Sequence, residues 1–108
     1  MIDNSNSHFY IRNNVASDAG GDIFIEAKSG ETSIKCQHDG AVELYYDNSK
    51  KFETKSSGAK LYGTLLVDGI IKVDDNDTIN IGTGSDLMLF HDGTHSRIHN
   101  STGNLSCK

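Results

Sequence analysis

A phrase of alternating apolar and polar residues that ends in a turn occurs twice in this chain, 45 residues apart. The first copy runs Gly40-Ala41-Val42-Glu43-Leu44-Tyr45-Tyr46-Asp47-Asn48-Ser49 and continues to Ser56-Ser57-Gly58. The second runs Ser85-Asp86-Leu87-Met88-Leu89-Phe90-His91-Asp92-Gly93-Thr94 and continues to Ser101-Thr102-Gly103. Leu44/Leu89, Asp47/Asp92, Ser56/Ser101 and Gly58/Gly103 are identical pairs; Val42/Leu87, Tyr45/Phe90, Ser49/Thr94 and Ser57/Thr102 match in type. A fixed period of this size marks a repeat architecture, in which each unit buries its apolar face only against a neighbour. The expectation is an elongated structural or binding protein rather than a compact enzyme.

No window carries a 3.6-residue apolar period, whereas alternation is common. Phe9–Ile11, Asp22–Ala27, Thr32–Cys36, Val42–Tyr46, Lys60–Val67, Ile70–Val73, Thr78–Ile81, Leu87–Phe90 and Arg97–His99 read as short strands. Turn residues punctuate them at Ala19-Gly20-Gly21, Ser29-Gly30, Asp39-Gly40, Asp47-Asn48, Ser57-Gly58, Asp68-Gly69, Asp75-Asn76, Gly82-Thr83-Gly84 and Asp92-Gly93. Val67-Asp68-Gly69-Ile70 is the cleanest two-residue hairpin pattern, because Asp-Gly suits central turn positions of positive φ. Within the strands, Val42 and Leu44 share one face and Glu43 takes the other. Gly21-Asp22-Ile23-Phe24-Ile25 is a degenerate third copy of Ser85-Asp86-Leu87-Met88-Leu89. Strands this short, separated by turns every ~8–12 residues, predict an all-β fold.

Core-forming residues are scarce. Leu, Ile, Val and Phe supply 25 of 108 residues, while Gly, Asn, Asp, Ser and Thr supply 50. A solitary chain would bury little apolar surface against the entropy of ordering its backbone. The expectation is an intertwined homotrimeric fibre, β-helix or β-prism like, whose edges are covered by other copies. The net charge of −5 argues against a nucleic-acid or anionic-membrane partner. No apolar run reaches membrane-spanning length, so membrane insertion is not expected. Residues 1–20 read as an N-terminal strand and linker, and residues 21–108 as the β-repeat region with related units at about 40–60 and 85–105. The polar Met1–Ser5 opening and the ending at Asn104–Lys108 read as the boundaries of a piece of something longer. Cys36 and Cys107 have no CxxC spacing and read as free thiols.

The stretch Asp39-Gly40-Ala41-Val42-Glu43-Leu44-Tyr45-Tyr46-Asp47-Asn48-Ser49-Lys50-Lys51-Phe52-Glu53-Thr54 resembles a segment common in tail-fibre proteins of marine bacteriophages, cyanophages and their relatives above all. Asp86–Gly93 followed by Ser96-Arg97-Ile98 resembles the companion repeat of the same proteins, and Gly21–Ala27 is similar to a third recurring phrase. The resemblance covers roughly residues 20–105. It implies a virion fibre made in the host cytoplasm, a homotrimer joined to other tail proteins, and a role in attachment to a host surface glycan or outer-membrane receptor.

Chemistry-bearing residues are plentiful but poorly arranged for catalysis. His91, His95 and His99 recur every four residues, yet Asp92-Gly93 interrupts any helix that would align them on a metal. The Asp74-Asp75-Asn76-Asp77 run lacks the glycine and glutamate of a calcium loop. Gly82-Thr83-Gly84 lacks the lysine of a phosphate loop, and no nucleophile elbow occurs. Asp47 and Asp92 recur at equivalent turns, which suits turn-making rather than glycosidase acid–base work. Tyr10, Tyr45, Tyr46, Tyr62, Phe52 and Phe90 can stack on sugars or pack across strands. No catalytic residue, metal or cofactor is assigned. Tyr46, His91 and His95, beside the two turns, are the candidate receptor-binding residues. The leading reading is a structural and adhesive tail-fibre segment; the alternatives are the non-catalytic stalk or a domain of a polysaccharide-degrading tailspike, or a cellular β-solenoid adhesin.

Overall fold

A computed structural model describes residues 7–13 and 20–108. Met1–Ser5 and Ala19, singled out above, lie outside the described residues. The fold is all-β. Among the described residues eight strands run in the order β1 (Ile23–Lys28), β2 (Glu31–Cys36), β3 (Val42–Tyr46), β4 (Ser49–Lys55), β5 (Gly58–Leu61), β6 (Thr78–Ile81), β7 (Leu87–His91) and β8 (Ser96–Asn100). They form two antiparallel meanders, one of β1 to β5 and one of β6 to β8, in which every strand pairs with its sequence neighbours. The chain divides into two units, Met1–Leu66 and Val67–Lys108, one sheet in each. Among the described residues no helix is long and apolar enough to cross a membrane.

The 45-residue spacing is also a spacing of strand pairs. Ile34, Lys35 and Cys36 of β2 face Leu44, Glu43 and Val42 of β3. Forty-five residues on, Ile79, Asn80 and Ile81 of β6 face Leu89, Met88 and Leu87 of β7 in the same register. Both phrases then turn back into a third strand, but by different means. Asp47 and Asn48, at φ 48° and 56°, make a two-residue turn that pairs Tyr46 with Ser49. Positive φ at both central positions matches the right-handed twist of the flanking strands. The second phrase needs four loop residues, Asp92 to His95, between His91 and Ser96. The tight first turn is accompanied by a bulge: Leu44 pairs with Phe52 and Tyr45 with Lys50, leaving Lys51 unpaired.

Register determines what each face carries. Ile25 pairs with Ile34, Ile34 with Leu44, Leu44 with Phe52 and Phe52 with Leu61, so one apolar row crosses all five strands. The parallel row Ile23, Cys36, Val42 lies beside it on the same face. The opposite face carries Phe24, Lys35, Glu43, Glu53 and Lys60, again partner to partner. In the second sheet Ile79, Leu89 and Ile98 form the corresponding apolar row.

Several sequence expectations need correction. The Val67-Asp68-Gly69-Ile70 hairpin does not form, Ile70–Val73 is not a strand, and of the expected Lys60–Val67 strand only Lys60 and Leu61 are strand, as the end of β5. Only Gly69 of the pair takes positive φ, at 148°, whereas the expected turn needs it at both central residues. Gly63, at φ 129°, takes the chain out of the β5 conformation soon after Leu61. Phe9–Ile11 is likewise not a strand. Ser49–Lys55, absent from the strand list read off the sequence, is the longest strand of all.

Candidate functional site

The two turns carry the candidate side chains, and each turn is fixed by its own hydrogen bonds. At the first, the Thr32 backbone N–H donates to Asn48 Oδ1 at 2.9 Å, and Asn48 Nδ2 donates to the Gly30 carbonyl at 3.2 Å. One amide thus ties the β3–β4 turn to the β1–β2 turn beside it. Tyr46, immediately before, is 74% exposed. With Thr32, Ser33, Asp47 and Asn48 it lines an open depression on unit 1. The depression offers an aromatic ring beside hydroxyl and carboxylate groups, while the Asn48 amide is already committed to the backbone.

At the second turn the Asp92 carboxylate organises the loop. Its Oδ1 accepts the backbone N–H groups of Thr94 at 3.0 Å and His95 at 2.7 Å, and its Oδ2 accepts Arg97 Nε. These partners, the His95 N–H first, then Arg97 and the Thr94 N–H, hold the Asp92 carboxyl down at about 2. The Asp92 N–H returns to the His95 carbonyl at 3.0 Å, closing the loop. His91 Nδ1 lies 3.2 Å from Ser96 Oγ, and the His91 carbonyl accepts the Asn76 N–H at 2.8 Å. Both imidazoles reach the surface. Gly93 sits at φ 86° with open space where a Cβ would stand. Gly93→Val is therefore expected to destabilise unit 2 by about 1–2 kcal/mol through backbone conformation alone. Urea titration followed by circular dichroism measures this; an unchanged midpoint would show that the loop relaxes out of positive φ.

Tyr46 belongs to unit 1, and His91 and His95 belong to unit 2. His99 sits on β8 opposite Met88. Among the described residues no His, Cys, Asp and Glu side chains cluster in a way that could hold a metal ion. Both cysteines are free, Cys36 half-buried and Cys107 exposed.

The best-organised side chains of the molecule escape a sequence reading. On the polar face of the first sheet, Lys50 Nζ donates to Glu43 Oε1 at 3.1 Å and to Glu53 Oε2 at 2.6 Å. Tyr45 Oη donates to Glu43 at 2.5 Å and Tyr62 Oη to Glu53 at 2.6 Å. Gln37 Nε2 adds a third donor to Glu43 at 3.3 Å. Glu43 and Glu53 are the only buried side chains among the described residues, and they are cross-strand partners. Lys50, then Tyr62, bring the Glu53 carboxyl down to about 2. Tyr45, then Lys50, lower Glu43, while Glu53 and Glu43 raise Lys50. Every polar atom buried in this cluster has a partner. Both carboxylates of the cluster are committed to donors from Lys50 and the two tyrosines, as buried polar groups require. Lys50 and Glu53 are three apart in sequence and should alternate to opposite faces; the unpaired Lys51 brings them to the same one. Comparisons with protein-family models, with curated proteins and with solved structures find no match to this chain.

Proposed function

We propose that this chain is a structural and host-attachment segment of a bacteriophage tail fibre, carried in the virion, that works as a homotrimer and performs no catalysis. One observation carries the reading furthest. Among the described residues no apolar side chain is buried, although two sheets with apolar rows have formed. A folded chain must recover the entropy of ordering from apolar burial, and here that burial has to come from further copies. Three copies in a shaft, joined to other tail proteins, supply it. The tail-fibre phrases supply the biological setting. Tyr46, His91 and His95 are the residues we assign to contact with a host glycan or outer-membrane receptor. Each is exposed beside a rigid turn, where loops on a scaffold place binding groups. Threefold display multiplies weak contacts when the geometry lets them engage together.

Sedimentation equilibrium of the purified chain is expected to give three times 11.7 kDa. A compact, stable monomer at micromolar concentration defeats the reading. The same preparation, incubated with capsule or lipopolysaccharide of susceptible marine bacteria, is expected to bind without releasing reducing ends. Their release would assign it to a polysaccharide-degrading tailspike.

A further inference from the structure

We propose that the apolar face of the five-stranded sheet is the surface on which a second copy of this chain packs, with Cys36 inside the contact. The proposal rests on the self-assembling reading above and gives it a location. The face is built from Ile25, Ile34, Leu44, Phe52 and Leu61 in one cross-strand row, with Ile23, Cys36 and Val42 beside them. Ile25 is 48% exposed and Leu44, at the centre of the row, 41%. A solvated apolar row across five strands is a surface awaiting a cover.

Three observations make the cover another copy. The face holds no charged side chain in these rows, so two chains of net charge −5 can stack there without bringing like charges together. On the opposite face of the same sheet the charged groups Glu43, Lys50 and Glu53 are already paired with one another, which leaves the row of Ile34 and Leu44 as the continuous apolar surface to bury. The row Ile79, Leu89, Ile98 in the second unit repeats the chemistry of Ile34, Leu44, Phe52, so each copy brings the same surface twice. The same apolar face on each identical chain can meet its neighbours around a shared axis, threefold in the assembly proposed above. Five strands about 4.8 Å apart and about 20 Å long give a face of roughly 400–500 Å². That is about half of what one partner of a stable complex buries, so the second row is needed as well.

The native cysteines report on the face directly. The wild-type chain is labelled with a small maleimide under native conditions, its oligomeric state followed in parallel by sedimentation. Cys36, half-buried within its own chain, is expected to react about tenfold or more slowly in the assembly than in the monomer, with exposed Cys107 as the internal reference, because the assembly must open before the thiol is reached. Dilution to the monomer, or Leu44→Asp, is expected to remove the protection. If Leu44→Asp does not fold, the wild-type dilution series carries the test. An assembly in which Cys36 reacts as fast as in the monomer overturns this face while leaving the trimer standing. A monomer whose Cys36 is protected means the chain covers its own face, and also overturns it. A monomer with Cys36 fully reactive removes both the face and the assembly reading.

Discussion

Asn48→Val is expected to destabilise unit 1 by about 2–4 kcal/mol, about twice the effect of Gly93→Val on unit 2. Two separate losses add. Asn48 sits at φ 56°, a left-handed conformation that asparagine tolerates and a β-branched residue does not. Its amide also holds the Thr32 N–H and the Gly30 carbonyl, so the β1–β2 turn loses its tether when the side chain goes. Asn48→Gly separates the two. Glycine keeps the backbone conformation at no steric cost but removes both hydrogen bonds, for an expected loss of about 1–2 kcal/mol. Urea titrations at one fixed protein concentration give the comparison, since self-association shifts the apparent midpoint. A glycine variant as stable as the parent would show that the tether contributes nothing and that the turn alone sets the geometry.

Where the sequence was legible, a local rule was enough. Alternation placed Val42 and Leu44 on one face and Glu43 on the other, and Asp47-Asn48 supplied a turn by residue type alone. Both rules act within a few residues. The Asp68-Gly69 pattern failed because a turn dipeptide makes a hairpin only when the strands beside it have partners. Here Leu66 and Ile70 are each 91% exposed, and no strand forms on either side. The β4 strand was missed for the opposite reason. Lys50, Lys51, Glu53 and Lys55 make Ser49–Lys55 read as a polar connection, and its pairing with both β3 and β5 is a tertiary fact. The bulge at Lys51 then hid the polar cluster, because it reverses the alternation that the sequence displays. Tyr46, His91 and His95 could be placed beside turns from sequence, but that they fall in two separate units could not.

Lys50→Met is expected to cost far more than Lys28→Met, and to change how unit 1 responds to acid. Lys28 makes an exposed 3.7 Å contact with Glu31, of the kind worth about 1 kcal/mol or less. Lys50 instead stands between two carboxylates that are cross-strand partners, one 5% and the other 8% exposed. Removing it leaves two like charges directly opposed and largely out of water, which is costlier than losing an attraction. The pH dependence follows from the Glu53 carboxyl, which titrates at about 2 in the folded chain against a usual 4.5. A lowered folded value means that the unfolded chain binds protons first as pH falls. The stabilisation is therefore complete above about 4.5 and is lost between about 4.5 and 2, with Glu43, also lowered, adding in the same direction. In Lys50→Met the hydrogen bonds from Tyr45 and Tyr62 remain but the shared cation is gone, so the two opposed carboxylates repel without compensation and protonating one of them relieves strain. The acid-induced fall in melting temperature is expected to shrink in the variant even though the variant is the less stable protein at neutral pH. Thermal melts of both proteins from pH 7 down to 2, followed by circular dichroism, decide it. Parallel curves, with the variant merely shifted down, would show that Lys50 acts through packing over the Tyr62 ring, 5.5 Å away, rather than through the two carboxylates.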